Sequence, residues 1–540
     1  MFQENLLLIL SLLFAVFMLI LIGQKLKISY PIFLVLAGLG ISFVPGIPRV
    51  EVEPEVIFLI FLPPLLYEAA WYTSWNDFWK WRRPIGMLAF GLVFFTSVIV
   101  AYVSSAMIPG FTLALGFLLG GIISPPDAVA ATSVLKNVNI PGRFTATLEG
   151  ESLINDASSL IVFRFAVAAV ISGHFSFGDA VGQFFVTAGM GVVVGLVIAQ
   201  LIYIIHRFLP TTSSIDAGLT LMTPYFMYMA AEHFHYSGVM AVVVGGLFLS
   251  YRSHEILSND SRIQSTGAWD TLVFVFNGLV FILIGLELPV IIGNLGDNTI
   301  LEGIKYGVII SFLAIIVRIL YVFLIAFVPT WFGNKSRMDT QNPLWKGPLI
   351  VGWAGMRGVV SLASALSIPF VLKSGQPFPY RNLILLITFI VILITLVFQG
   401  LTLPLLIKWV NIKDTDDFPR EEEQEAAIRL RMMEIALEKL NKKYPSEITD
   451  NELVASLKNE LESEISVIGQ RLETLESDTK SEEKDKAQVE VYHNILLDLY
   501  EEQRKELIRL RKSKTFNDLE IRKQQRQIDF DEAKINPSVR

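Results

Sequence analysis

Cysteine is absent from this chain of 540 residues. That excludes disulfide bridges, thiolate metal sites and a cysteine nucleophile, and leaves the redox compartment unread. Charge is scarce as well: 18% of the residues are Asp, Glu, Lys or Arg, against about 25% in an average soluble domain. The charge present is concentrated at one end. Residues 1–410 hold 21 basic and 20 acidic residues, and residues 411–540 hold 23 and 31. An apolar body of net charge +1 therefore precedes a hydrophilic tail of net charge −8, the pattern of a membrane domain with a soluble appendage. No nucleotide loop, calcium loop or nucleic-acid patch is visible. His174, His206, His233, His235 and His254 fall near the ends of apolar runs, away from the carboxylates, so neither a metal site nor a cofactor is expected. No pairing of nucleophile with base is visible, so the chain does not read as an enzyme.

Apolar runs are abundant. A membrane span needs about 20 mostly apolar residues, and thirteen such runs are read at 5–23, 30–47, 55–72, 84–108, 112–135, 146–172, 178–205, 215–232, 237–251, 268–293, 303–329, 347–372 and 381–408. The first follows Glu4 with no basic stretch before it and no small-residue cleavage site after it, so it is expected to stay as a helix and not to be removed. Cytoplasmic loops are enriched in Lys and Arg. One alternating set of loops carries Lys25, Lys27, Lys80, Arg82, Arg83, Lys136, Arg143, Arg207, Arg252, Arg262, Lys335, Arg337, Lys346, Lys408 and Lys413, and the other only Arg49, Lys305, Lys373 and Arg381. The expectation is an outside N-terminus and a cytoplasmic tail, which requires an odd number of spans.

Ionisable groups inside these runs are Glu68, Asp127, Glu149, Glu151, Asp156, Arg164, Glu287, Arg318 and Arg357. Each costs roughly 2.5–3.5 kcal/mol at mid-membrane on insertion scales, so each needs a partner, a wet cavity or a task. In Ser124-Pro125-Pro126-Asp127 two consecutive prolines remove two backbone donors, which predicts a broken helix. Broken spans line substrate sites in transporters. Asp127 reads either as part of such a site or as the cap of the second half-helix. In the next run Ser152, Asn155 and Asp156 stand at i, i+3 and i+4 and share one helix face. Their oxygens suit a hard cation such as Na⁺, and a carboxylate can hold a cation or a proton but not both. Gly352-Trp353-Ala354-Gly355-Met356-Arg357-Gly358 reads as a second broken span, with Arg357 a structural countercharge to Glu151 or Glu287. Glu68 follows the pair Pro63-Pro64 and reads either as lying near the first break or as ending a helix. The two breaks are separated by seven spans, so two inverted repeats are expected, each with one broken helix.

Through Phe61–Glu68, Ser124–Ala131, Glu149–Asp156, Phe281–Leu288 and Gly352–Gly358 the chain resembles the monovalent cation/proton antiporter-1 family, the bacterial sodium/proton exchangers related to animal sodium/hydrogen exchangers. The resemblance covers most of residues 1–410 and none of the tail. It implies an all-α fold of about thirteen spans in two inverted repeats with crossed broken helices, a homodimer in the plasma (inner) membrane, and elevator-like exchange of Na⁺ for H⁺. By the same resemblance Asp156 is the ion- and proton-binding carboxylate, with Asn155 beside it. Ser152 and Glu68 contribute to the site, Asp127 stands at the break, and Glu151 and Arg357 form a supporting ion pair. The family's Asn-Asp pair implies electroneutral exchange. Many members have Thr-Asp-Pro at the break where this chain has Pro126-Asp127-Ala128. A coordinating hydroxyl is thereby lost, with Ser124 or a freed carbonyl as its substitute, and the preference among Na⁺, Li⁺ and K⁺ stays open. K⁺/H⁺ exchange, an ion channel and a non-transporting sensor are the rival readings. The channel lacks a repeated carbonyl-ring filter.

The tail carries apolar residues at helical spacing in Glu421–Lys443, Asn451–Glu476 and Glu483–Lys512, with Pro445 and the run Ser477–Lys486 as separators. It reads as a helical module, regulatory or dimer-stabilising. The basic run Arg504–Lys514 reads as a solvated face or a contact with anionic lipid.

Overall fold

A computed structural model describes residues 2–26, 28–44, 57–135, 140–173, 177–293, 295, 297–331, 345–372, 375–412, 421–476, 482–513 and 516–535. Lys27, Arg49, Lys136, His174, Lys335, Arg337, Lys373, Lys413 and Lys514, weighed above, lie outside the described residues, as does part 477–481 of the tail linker. The chain divides into two compact units, Met1–Thr415 and Asp416–Arg540.

The first unit is all-α and polytopic. In hydrocarbon every backbone amide must bond within its own segment, so apolar runs fold as helices. In chain order these are α1 (Phe2–Lys25), α2 (Tyr30–Ser42), α3 (Leu62–Tyr72), α4 (Arg82–Met107), α5 (Leu113–Ile123), α6 (Ala128–Leu135), α7 (Gly142–Ser172), α8 (Phe177–Phe208), α9 (Ser213–His233), α10 (Gly238–Tyr251), α11 (Asn259–Leu286), α12 (Asp297–Trp331), α13 (Lys346–Trp353), α14 (Val359–Leu366) and α15 (Arg381–Val410). Among the described residues seven helical stretches are long and apolar enough to cross a membrane: α4, α5 with α6, α7, residues 182–208 of α8, α11 with its extension to Gly293, residues 300–327 of α12, and α15.

Two apolar clusters organise the unit. One gathers side chains of α2, α5, α6, α12, α13, α14 and α15, the other those of α3, α8, α9 and α10. Helix α7 belongs to both, giving Leu148, Phe163 and Ala166 to the first and Leu153, Ala157 and Leu160 to the second. The face that carries Asn155 and Asp156 therefore sits at the seam between two packed bodies.

Among the described residues three widened π turns interrupt the helices, at Ile57–Phe61, Met87–Leu92 and Thr395–Gln399. Such turns release backbone groups from the helical ladder, and here a neighbour uses each one. The Tyr225 hydroxyl donates to Ile60 O at 3.0 Å, and the Ser158 hydroxyl to Ala89 O at 2.6 Å. The third turn presents Thr395 and Gln399 to the second helix break.

In the second unit, α16 (Glu421–Lys443) packs against α17 (Glu452–Glu476), and α18 (Glu482–Ser513) against α19 (Asp518–Ile535). Arg504 donates to Asp529 at 2.7 Å and also to Glu532, tying the second pair together.

Candidate functional site

Both predicted breaks are present, and they meet. Helix α5 ends at Ile123 and α6 starts at Ala128; α13 ends at Trp353 and α14 starts at Val359. The Asp127 N–H donates to Met356 O at 2.7 Å, so the two interruptions are bonded backbone to backbone. Four half-helix ends, two of each sign, converge there.

Two charged residues answer those ends. The Asp127 carboxylate accepts from the Val129 N–H at 2.9 Å and from the N–H groups of Ala130 and Val359, so it caps α6 and α14 together. An anion belongs at such positive ends. Arg357, fully buried, does the converse. Its Nε donates to Ile123 O at the end of α5 at 3.0 Å, and its guanidinium also bonds Gly355 O just past α13. Thr395 Oγ1 accepts the Arg357 N–H at 3.1 Å, and Gln399 donates to Trp353 O at 2.8 Å. Gly358 is required by the close approach: a Cβ there would fall on the Asp127 carboxylate.

Helix α7 closes one side of this crossing. Asn155 Nδ2 donates to Pro126 O at 3.0 Å, and Ser152 Oγ accepts from the Ala128 N–H at 3.2 Å. These two bonds satisfy backbone groups freed by the proline pair, as buried polar groups must be. They leave Asn155 Oδ1 buried without a hydrogen-bond partner among the described residues. Next to it the Asp156 carboxylate, 7% exposed, receives no hydrogen bond from the described residues, and Asp127 is its charged neighbour. A buried carboxylate and a buried amide oxygen, both without a hydrogen-bond donor among the described residues, have the lone pairs to take up a proton or a small cation.

The other expected residues fall as follows. Tyr30 lies within electrostatic reach of both Asp127 and the partly buried Glu68. Ser124 is buried, but its hydroxyl donates to Gly121 O at 3.2 Å and is turned back onto α5. The expected Glu151–Arg357 pair is replaced: Glu151 pairs with Arg318 of α12 through two bonds of 2.6 and 2.8 Å, both side chains fully buried. The reason is steric. Gly355 lacks the Cβ that would collide with the Arg318 side chain, so Arg318 passes α13 and reaches Glu151, and it also donates to Val351 O at 3.2 Å. Arg357 is spent on the helix ends. Glu287 lies within electrostatic reach of Arg381. Arg164, the cation nearest to Asp156 along α7, is paired with Glu232 at 2.7 Å.

Sequence reasoning assigned no role to Arg318, Tyr30, Thr395 or Gln399. Thr395 and Gln399 were detectable as polar residues within the apolar run at 381–408. Among the described residues no group of three or more His, Cys, Asp or Glu is arranged to hold a metal ion.

Comparison with known proteins places this geometry among relatives. The family model for the transmembrane sodium/hydrogen exchanger matches residues 11–409. A sodium, potassium, lithium and rubidium/H⁺ antiporter of Bacillus pumilus is 37% identical over 70% of this chain and 57% of its own length. An uncharacterized Na⁺/H⁺ exchanger of Mycobacterium bovis is 30% identical over 95% of this chain and 93% of its own. The chain thus spans 57–58% of the length of the first curated relatives it matches. Among solved structures, the sodium proton antiporter MjNhaP1 of Methanocaldococcus jannaschii covers 76% of this chain and 100% of its own, with a TM-score of 0.59 and 21% identity, and so shares the fold.

Proposed function

Since the chain belongs to the sodium/hydrogen exchanger family, and is thereby a transporter and not a catalytic enzyme, we propose that it is a secondary antiporter exchanging Na⁺ for H⁺. The cation and the proton compete for Asp156. The observation that carries this reading is the buried Asp156 carboxylate, which receives no hydrogen bond among the described residues, next to Asn155 Oδ1, which has no partner among them either, beside the meeting point of two broken helices. Asp156 binds either ion, Asn155 and Ser152 offer further oxygens while holding the break, and Glu68 contributes charge. Asp127 acts as the cap of two half-helices and Ser124 as the C-cap residue of α5. A loaded site moves across the membrane and an empty one does not, because an unsatisfied carboxylate is costly to carry through a closed state. The seam position of α7 between two apolar clusters supports an elevator-like displacement of one body against the other.

The finer topology belongs to the same proposal. Helical elements or broken pairs fall on each of the thirteen apolar runs. With the basic loops they support an outside N-terminus, a cytoplasmic tail and residence in the plasma membrane. The family resemblance supports inverted repeats, electroneutral exchange and a homodimer, with the tail regulatory or dimer-stabilising. A second reading, K⁺/H⁺ exchange, is favoured by the Bacillus pumilus relative, a sodium, potassium, lithium and rubidium/H⁺ antiporter.

The test is dissipation of a pH gradient in proteoliposomes on adding Na⁺, Li⁺ or K⁺, with and without a voltage clamp by valinomycin and K⁺. The expected result is proton movement with Na⁺ and Li⁺ that clamping leaves unchanged. A response to K⁺ alone would replace the first reading by the second, and no response to any cation would sink antiport itself.

A further inference from the structure

Helix α16 carries an apolar face that is exposed among the described residues. Ile428, Met432 and Ile435 on it are 60%, 62% and 50% exposed, although the same helix buries Ala426 against its neighbours. With Glu425 before them and Lys439 and Lys442 after them, these residues follow the 3-4-3-4-3 spacing of a coiled-coil seam. A shallow groove of about 470 Å³ runs along its first half, lined by Gln424, Glu425, Ile428, Arg429 and Met432.

The charge along this face is self-complementary in one arrangement only. The sequence runs from four glutamates within residues 421–425 to three lysines within residues 439–443. Two copies laid parallel would oppose like charges at both ends. Laid antiparallel about a two-fold axis between residues 433 and 434, Met432 of one copy packs beside Ile435 of the other. Glu425 then meets Lys442, and Arg429 meets Glu438. Isologous contacts of this kind require a self-complementary patch. We propose that this face of α16 is an antiparallel docking surface for the same face of a second copy of the chain. The proposal specifies how two tails meet and rests on the homodimer reading, but not on the transported ion.

A seam of about two and a half heptads is too short to associate strongly by itself. Two copies already joined in one membrane give it a high effective concentration. The experiment therefore uses the full chain in membranes, where the absence of native cysteine leaves a clean background. Glu425→Cys, Lys442→Cys and the double variant are oxidised with copper phenanthroline. On one helix the two positions are about 25 Å apart at 1.5 Å per residue, so they reach each other only across copies. The expected result is covalent dimer as the main product of the double variant and background levels from either single variant. Dimer from a single variant would mean a parallel pairing. Monomer from the double variant would mean that something else, such as α18, covers the face. Either result overturns the proposal. Gel filtration of each variant confirms that it is folded. Mass photometry of the unaltered chain distinguishes a monomer, which would overturn the homodimer reading too, from a dimer whose tails do not meet, which overturns only this one.

Discussion

Asp156→Asn abolishes cation-driven proton movement while the protein remains folded and membrane-inserted. The substitution keeps the shape of the side chain and removes its charge and its ability to exchange a proton. Loss of an ion–carboxylate contact on the order of 3 kcal/mol corresponds to roughly a hundredfold loss of affinity, and the coupling is lost outright because an amide does not carry the proton. Since no described group bonds the Asp156 carboxylate, its neutralisation breaks no ion pair, and thermal stability is expected to hold or rise. Gradient dissipation in proteoliposomes, read beside a thermal melt of the same preparation, checks both halves. Retained exchange in the variant would move the site elsewhere on α7.

Glu151→Gln has the opposite signature, a large loss of stability. Its partner Arg318 is fully buried, and the bidentate pair is Arg318's only anionic contact among the described residues. Removing one member of a buried ion pair strands the other charge in a low dielectric, typically at about 3–5 kcal/mol, whereas replacing both by apolar groups is often nearly neutral. Glu151→Gln is therefore expected to lower the melting temperature and the yield sharply, and Glu151→Leu/Arg318→Met to recover most of both. If Arg357→Met rescued the Glu151 variant instead, the pairing described here would be wrong. Arg357→Met alone is expected to be damaging in any background, because the helix-end carbonyls of Ile123 and Gly355 lose the guanidinium that both of them bond.

Both interruptions were legible in the sequence because proline and glycine act locally. The pair Pro125-Pro126 cannot continue a helix, and Gly352, Gly355 and Gly358 weaken one within seven residues. The Asn155-Asp156 face was legible from the i, i+3 and i+4 placement of Ser152, Asn155 and Asp156 in an otherwise apolar run. Which arginine meets Glu151 was not legible. Arg318 and Arg357 are both buried within spans, and the choice depends on a steric opening at Gly355 between α12 and α13 that no local pattern encodes. Asp127 was readable as a cap of its own half-helix, yet its second bond, to Val359, joins segments more than 230 residues apart. Thr395 and Gln399 act through a π turn, whose position depends on the helices packed around it.

The competition of two ions for one carboxylate is tested most directly without any gradient. Purified protein in weakly buffered detergent is titrated with Na⁺ while released protons are counted by a pH indicator. One proton per bound cation is predicted near the pH at which Asp156 is protonated in the empty protein, with no release from Asp156→Asn. Cation binding without proton release, or release that survives in the variant, would contradict the account.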